Sequence, residues 1–280
     1  MAPFALISVS DKTNIIPFAK TLVEKFNFQI LSSGGTAQYL KDANIPVIKV
    51  SHFTKSPEIL EGRVKTLHPK IHGGILAKRS DQNHINDLTT NNFEFIDLVV
   101  VNLYPFQQKI KENCNWDEAI ENIDIGGPSM IRSAAKNHKD VAILINPNQY
   151  DNFLTELEKG KLSDKFKTQL AFEAFQHTAN YDIAISNWIS KEKKLEQKYH
   201  METNQLIKTL RYGENPHQKA NWYGSHDKGW KKAKQLQGKE LSYNNLLDLE
   251  SALSTVLEFK EQENKLKSNA AIILKHNNPC

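Results

Sequence analysis

The 280-residue chain is poor in cysteine, with only Cys114 and Cys280. They lie far apart and in no metal-ligand spacing, which argues against a disulfide framework or a cysteine-based zinc site and points to a reducing compartment. Long apolar runs are also missing. The opening Phe4-Ala5-Leu6-Ile7 is too short for a signal-peptide core and has no basic flank, and no later segment nears the roughly 18 apolar residues of a membrane span. A cytoplasmic location without membrane contact is expected. Neither sign of charge dominates: 36 Lys and Arg against 32 Asp and Glu leave +4. That is too mild for a nucleic-acid surface, though it suits an anionic small molecule. Repeats and low-complexity tracts are absent as well.

What remains is an ordinary globular composition, 39% hydrophobic and 24% charged, outside the disordered and collagenous classes. At roughly 100 to 200 residues per domain, the length gives one large domain or two small ones. Short β-branched runs alternate with helical patterns through the first half, the signature of a parallel sheet with helices on both faces, an α/β fold. The strands are read at Phe4 to Val9, Phe28 to Leu31, Pro46 to Val50, Ile96 to Val101 and Val141 to Ile145. Ile15, Ile16, Phe18, Ala19, Leu22, Val23 and Phe26 draw one helical stripe between the first two. A longer helix spans Ser163 to about Ser190, its apolar positions at Phe166, Leu170, Ala174, Phe175, Ala179, Ile183 and Ile185, covering the sheet or mediating an oligomer. The charged Lys191 to Lys198 run reads as a solvated helix end or linker, with a domain boundary near residue 197. Beyond it come a strand at Ala220 to Tyr223, a helix at Asn245 to Phe259 and a buried strand at Ala270 to Leu274. A chain ending on such a strand cannot cover it, so the sequence reads as cut inside a domain.

Two turns rich in small hydroxyl residues and glycine follow the first two strands and enter helices, Ser10-Asp11-Lys12-Thr13 and Ser33-Gly34-Gly35-Thr36. Free N–H groups at a helix start suit a phosphate, and Lys12 adds a full charge; simple N-capping is the alternative. Neither turn matches the Walker or GxGxxG pattern. Arg63 and Lys65 sit in a loop facing an anion or solvent. His68 and His72 are four apart, but Pro69 and the neighbouring glycines disfavour the helix a zinc pair needs, and no HExxH glutamate is present. Asn102 and Tyr104 end the fourth strand on the same rim. Asp124-Ile125-Gly126-Gly127 opens another helix, with Arg132 and Lys136 following at one-turn spacing on one face. A carboxylate, a lysine and free N–H groups converging on that rim would form an acid, base and oxyanion-binding set; the alternative is capping by Asp124 beside two exposed cations.

These segments, together with Arg63-Val64-Lys65-Thr66-Leu67-His68-Pro69, Asn102-Leu103-Tyr104-Pro105-Phe106, Ala134-Ala135-Lys136-Asn137-His138, Arg211-Tyr212-Gly213-Glu214-Asn215-Pro216-His217-Gln218 and Lys275-His276-Asn277-Asn278-Pro279-Cys280, resemble in order the motifs of one family. It is the bifunctional family of late purine biosynthesis that joins AICAR transformylase to IMP cyclohydrolase. The resemblance implies a methylglyoxal-synthase-like cyclohydrolase domain over 1–196, then a truncated, cytidine-deaminase-like α/β fragment of the transformylase over 197–280. It implies dehydrative ring closure of formyl-AICAR to IMP with Lys65, Tyr104, Asp124 and Lys136 in the catalytic positions; on this footing Lys65 and the N–H groups near Gly126 are expected to stabilise the developing negative charge while Lys136, tuned by Asp124 and Tyr104, handles protons. The nucleotide contacts it implies are Ser10, Asp11, Lys12, Thr13, Ser33, Gly34, Gly35, Thr36, Arg63, Val64, Thr66, Val101, Asn102, Ile125, Gly126 and Gly127. For the transformylase it implies Lys275 and His276 as the catalytic pair, Arg211 and Tyr212 as AICAR contacts, and 10-formyltetrahydrofolate as cosubstrate. A homodimer, no metal and no cofactor for the cyclohydrolase complete the expectation. A regulatory module of the same fold, which binds phosphorylated ligands without chemistry, and methylglyoxal synthase are the competing readings.

Overall fold

The computed structural model describes residues 2–112, 114–224, 230, 233–259 and 270–279, so Cys280 lies outside the described residues. The chain divides into two compact units, Met1–Tyr199 and His200–Cys280. In the first, β1 (Phe4–Val9), α1 (Ile15–Phe26), β2 (Gln29–Ser32), α2 (Gly34–Asp42), β3 (Val47–Lys49) and α3 (Val50–Thr54) build one half. α4 (Pro69–Leu76), α5 (Gln82–Thr90), β4 (Leu98–Asn102), α6 (Phe106–Lys111), α7 (Trp116–Glu121), α8 (Gly126–Lys136), β5 (Ala142–Leu144), α9 (Tyr150–Glu158) and α10 (Asp164–Lys193) build the other.

The five strands form one parallel sheet in the order β3-β2-β1-β4-β5. The chain therefore winds outward in both directions from the β1/β4 pair, where Val9 faces Asn102 in register. Such a reversal opens a crevice at the carboxyl ends of the two strands, the usual ligand seat of open α/β sheets. Ala5, Leu6 and Ile7 of β1 and Leu98, Val99, Val100 and Val101 of β4 are buried on both faces, which explains their unbroken apolar run. Each large side chain so buried contributes about 1.5 to 3 kcal/mol. The α1 stripe buries Ile15, Phe18, Ala19 and Leu22, and Phe18 stacks on Tyr150 at 4.3 Å.

Two local expectations are corrected. Pro69 and the glycines do not prevent a helix after His68: α4 forms with Pro69 at its start and His68 capping it through Nδ1, 3.0 Å from the Lys70 N–H. Proline at the first position of a helix forfeits no intrahelical bond, and Gly74 is needed for contact, since a Cβ there would stand 2.4 Å from the Glu94 carbonyl oxygen. α10 buries Leu170, Ala171, Ala174, Thr178 and Tyr181 against α8 and β5, whereas Phe175, assigned to that stripe, is exposed. Among the described residues no helix is long and apolar enough to cross a membrane.

The second unit holds an antiparallel pair, β6 (Gln205–Thr209) and β7 (Asn221–Gly224), then α11 (Tyr243–Glu258), started by a capping box between Ser242 and Asn245. β8 (Leu274–Lys275) and β9 (Asn278–Pro279) close a two-residue hairpin whose turn residues His276 and Asn277 both have positive φ. The buried strand expected at Ala270 to Leu274 is not formed. Ile273 is 76% exposed, and of this stretch only Leu274 pairs, in the two-residue ladder with β9 beside α11.

Candidate functional site

At the β1/β4 crevice the two hydroxyl-rich turns behave differently. In the first, the N–H groups of Ser10 and Asp11 both donate to Asn102 Oδ1, at 2.7 and 2.8 Å, and the Thr13 N–H donates to Asp11 Oδ1 at 2.9 Å. These N–H groups, read from sequence as open to a phosphate, are held by the protein's own oxygens. Hydrogen bonds from Thr13, first from its side chain and then from its N–H, hold the Asp11 carboxyl below the ordinary carboxylate range. Lys12 leans toward α2, its Nζ 5.8 Å from the centre of the Tyr39 ring.

The second turn is open. Ser33 precedes α2 in extended conformation, its side chain caps nothing, and Oγ is buried without a hydrogen-bond partner although the residue is only 5% exposed. A buried hydroxyl left unpaired is costly, and an arriving oxyanion would satisfy it. Gly34 adopts φ +53°, a left-handed conformation that glycine takes without penalty. Lys65 Nζ lies 3.3 Å from where a Gly34 Cβ would stand, which sets an ammonium directly over the turn. Thr36 is oriented differently: its hydroxyl accepts from the Val9 N–H and donates to the Val9 carbonyl, latching α2 to the end of β1. Only its backbone is left for a ligand.

Asp124 stands at the start of α8. Its Oδ1 accepts the Gly127 N–H at 2.8 Å, so the capping alternative is realised, and this N–H, expected from the sequence to be open to an oxyanion, is taken. Burial raises its carboxyl above the ordinary range, while the Gly127 bond and the Lys65 charge pull it back. Lys65 thus faces both the open turn and the carboxylate. Thr66 is buried, with Oγ1 pressed against Gly126. Tyr104 and Ile125 stand at the rim, 51% and 60% exposed.

Four further residues stand apart from the open turn. Arg63 does not face the turns; its guanidinium is paired with the Glu121 carboxylate, Nε lying 3.3 Å from Oε1. Val101 is buried in the core, leaving only its backbone at the rim, and Val64 bridges to Ile59 within the loop. Lys136 ends α8, so about 15 Å of helix at 1.5 Å per residue separates it from Gly126. Lys136 follows Arg132 at one-turn spacing and lies at the end of α8 remote from Asp124.

In the second unit, Arg211 lies over the Tyr212 ring at 4.7 Å and donates to its phenol oxygen at 3.0 Å. A hydrogen bond with Ser242, then the Arg211 contact, hold that phenol below its ordinary range. Arg211, Lys239, Asn245, Asp248 and Leu274 line a cleft of about 610 Å³. Lys275 and His276 are exposed on the hairpin, which docks on α11 through the Asn277 N–H and Asp248 Oδ1 at 2.8 Å. Among the described residues no group of three His, Cys, Asp or Glu side chains could hold a metal ion.

One residue escaped the sequence reading altogether. Tyr181 of α10 accepts the Asp124 N–H on its phenol oxygen at 2.9 Å. The available signal was a tyrosine in a buried stripe, whose hydroxyl must find a partner.

Comparison with known proteins matches the AICARFT/IMPCHase bienzyme family over residues 134–280 and the MGS-like domain over residues 14–129. The bifunctional purine biosynthesis protein PurH of Prochlorococcus marinus strain MIT 9515 is 70% identical over 283 residues, and that of strain MIT 9301 is 68% identical over the same length. Each alignment covers 100% of this chain and 55% of the relative, so the chain spans about half the length of these curated relatives. Among solved structures, ForH superposes with a TM-score of 0.59 at 33% identity, covering 66% of this chain and 98% of that one.

Proposed function

The chain belongs to the AICARFT/IMPCHase bienzyme family, and from that premise we propose that residues 1–196 form a cyclohydrolase domain that closes formyl-AICAR to IMP. The observation that carries the reading is the placement of the Lys65 ammonium over the Gly34 turn and within the field of Asp124, beside a buried, unpaired Ser33 hydroxyl. The turn Ser33-Gly34-Gly35-Thr36, with Lys12 beside it, would seat the 5′-phosphate at the start of α2. The base would then extend toward Asp124 and Tyr104.

In the ring closure the carboxamide nitrogen bonds to the formyl carbon, and one of its protons passes to the formyl oxygen, giving a cyclic carbinolamine. The C–O bond then breaks, and the hydroxyl leaves as water with the proton of the former formamide nitrogen. The first step develops negative charge on the formyl oxygen, which Lys65 would stabilise. The second needs an acid for the departing hydroxyl. Asp124, whose burial favours the protonated form, would supply it, and Tyr104 would hydrogen-bond at the rim. Lys136 is not assigned a proton passed to or from Asp124, because α8 holds the two apart.

The test is IMP formation from purified formyl-AICAR with no folate present. Wild type is expected to turn over, while Lys65→Ala and Asp124→Asn lower kcat by about 10²-fold or more and leave IMP binding largely intact. Undiminished turnover in both variants would refute the assignment.

Residues 197–280 are read as the beginning of a transformylase domain, with Lys275 and His276 as its catalytic pair, Arg211 and Tyr212 as AICAR contacts and 10-formyltetrahydrofolate as cosubstrate of the whole protein. The chain spans 55% of its relatives, so no formyl transfer is expected from it alone. A cytoplasmic homodimer completes the proposal; exposed Phe172 and Phe175 on α10 supply apolar surface for a second copy.

A further inference from the structure

Asp124 precedes α8, and an outside group anchors its backbone. Its N–H donates to the Tyr181 phenol at 2.9 Å, and the phenol reaches the Asn122 carbonyl at 3.4 Å. Tyr181 is 8% exposed, so water competes little for this bond. The tyrosine ring is itself held in place. Phe106 meets it edge-on at 6.3 Å, Trp188 meets Phe106 edge-on at 5.4 Å, and Trp116 stacks on Trp188 at 4.8 Å. Lys193 Nζ covers the outer tryptophan, 3.9 Å from the Trp116 ring centre. Each aromatic contact has a preferred geometry, so the series resists sliding of α10 along α6 and α7.

Phe106 belongs to this ladder and also lies two residues from Tyr104, whose carbonyl accepts the Phe106 N–H at 2.7 Å. One face of α10 therefore braces both the turn that carries Asp124 and the loop that carries Tyr104. α10 lies wholly outside the stretch matched by the MGS-like domain, residues 14–129. The brace thus joins Phe106 and Trp116 from within that stretch to Tyr181 and Trp188 from beyond it.

We propose that Tyr181 is a positioning residue of the ring-closing site, fixing the Asp124 backbone through its phenol while the Phe106–Trp188–Trp116 ladder fixes Tyr104 relative to it. The kinetic consequence rests on the ring-closure reading given above. The structural consequence does not.

The discriminating variant is Tyr181→Phe in the full chain, which keeps the ring and the ladder and removes one oxygen. Losing a single hydrogen bond is expected to lower kcat roughly five- to thirtyfold, with KM for formyl-AICAR changed by less than about twofold. Backbone amide exchange at Asp124 should quicken by about tenfold or more, while the amides of β1 and β4 exchange as in wild type. Trp188→Ala, which leaves the phenol but breaks the ladder, should quicken exchange across Tyr104 to Phe106 as well. Wild-type kcat together with wild-type exchange at Asp124 in Tyr181→Phe would overturn the proposal. So would a loss of turnover accompanied by faster exchange throughout β1 and β4, which would mark a general fold defect. Were the wild-type chain to form no IMP, the ring-closure reading would fall, and exchange at Asp124 alone would decide the role of Tyr181.

Discussion

At Asp124 two demands oppose each other. The carboxylate caps Gly127 and faces Lys65, both of which favour its charge, yet burial is the largest influence and raises its proton affinity. A carboxyl whose folded value is raised contributes stability that is full below its unfolded value and is lost as pH rises through the folded one. Asp124→Asn keeps an oxygen for the Gly127 N–H and removes that penalty. It is therefore expected to melt at or above wild type at pH 7, the gap closing toward pH 4, while ring closure fails. Thermal melts at the two pH values check this; a lower melting temperature at pH 7 would show that the Lys65 attraction outweighs burial. Lys136 gives a second expectation at this scale. Residues more than about 7 to 10 Å apart with no shared partner act additively to within about 0.5 kcal/mol. A double-mutant cycle of Asp124→Asn and Lys136→Ala, read from kcat/KM, should show no coupling beyond that limit. A larger coupling energy would place the two at one reaction centre.

Helix α4 shows what a sequence pattern can and cannot carry. Gly74→Ala should gain about 1 kcal/mol of helix propensity, but its Cβ would stand 2.4 Å from the Glu94 carbonyl oxygen. Overpacking against rigid backbone costs about 1 to 3 kcal/mol, so a net loss is expected, read as a lower urea midpoint at unchanged slope. A stabilised variant would mean that the Glu94 loop yields. No local pattern announces that contact, which joins residues twenty apart. The centre of the sheet was legible because β1, β4 and β5 are buried almost throughout and so are continuously apolar, whereas edge strand β3 is only half-buried. β1 falls where the pattern put it, and the others shift by one or two residues for local reasons. Ile96 reads as strand, for example, but its N–H bonds to the Gly74 carbonyl, and β4 begins only at Leu98. The stretch Ala270 to Leu274 is as apolar, yet among the described residues only its Leu274 pairs, so composition alone misled. In the site, the turns and Asp124 were visible as motifs. Their hydrogen bonds were not, because Asn102 closes the first turn across about ninety residues and Tyr181 anchors Asp124 from a helix 57 residues away. Periodicity gave the face of α8 that carries Lys136 but not its distance along the axis.

Across the first unit, acid stability should depend on histidine. Burial lowers the proton affinity of both His72 on α4 and His177 on α10. Below about pH 6.5 the unfolded chain binds protons that the folded chain refuses, so stability present at neutral pH is lost as pH falls toward the folded values. The urea midpoint is expected to drop between pH 7.5 and pH 5.5, and His177→Gln should flatten the drop; a pH-independent midpoint would contradict it. The division of labour between the two units yields a sharper expectation. The sheet, the Ser33 turn, Lys65, Asp124 and the whole of α10 lie within Met1–Tyr199. A chain ending at Tyr199 keeps every contact described at the ring-closing site and should fold alone and form IMP within about threefold of the full chain. Ending at Gly160 retains the entire MGS-like match but removes Tyr181 and the helix that covers α8 and β5. Ala174 and Leu170 would no longer cover that core, and the Asp124 N–H would lose its acceptor. Turnover should vanish in the shorter chain even where circular dichroism still reports α/β structure. Equal turnover in the two chains would mean that the site is complete within the MGS-like module and that α10 adds only stability.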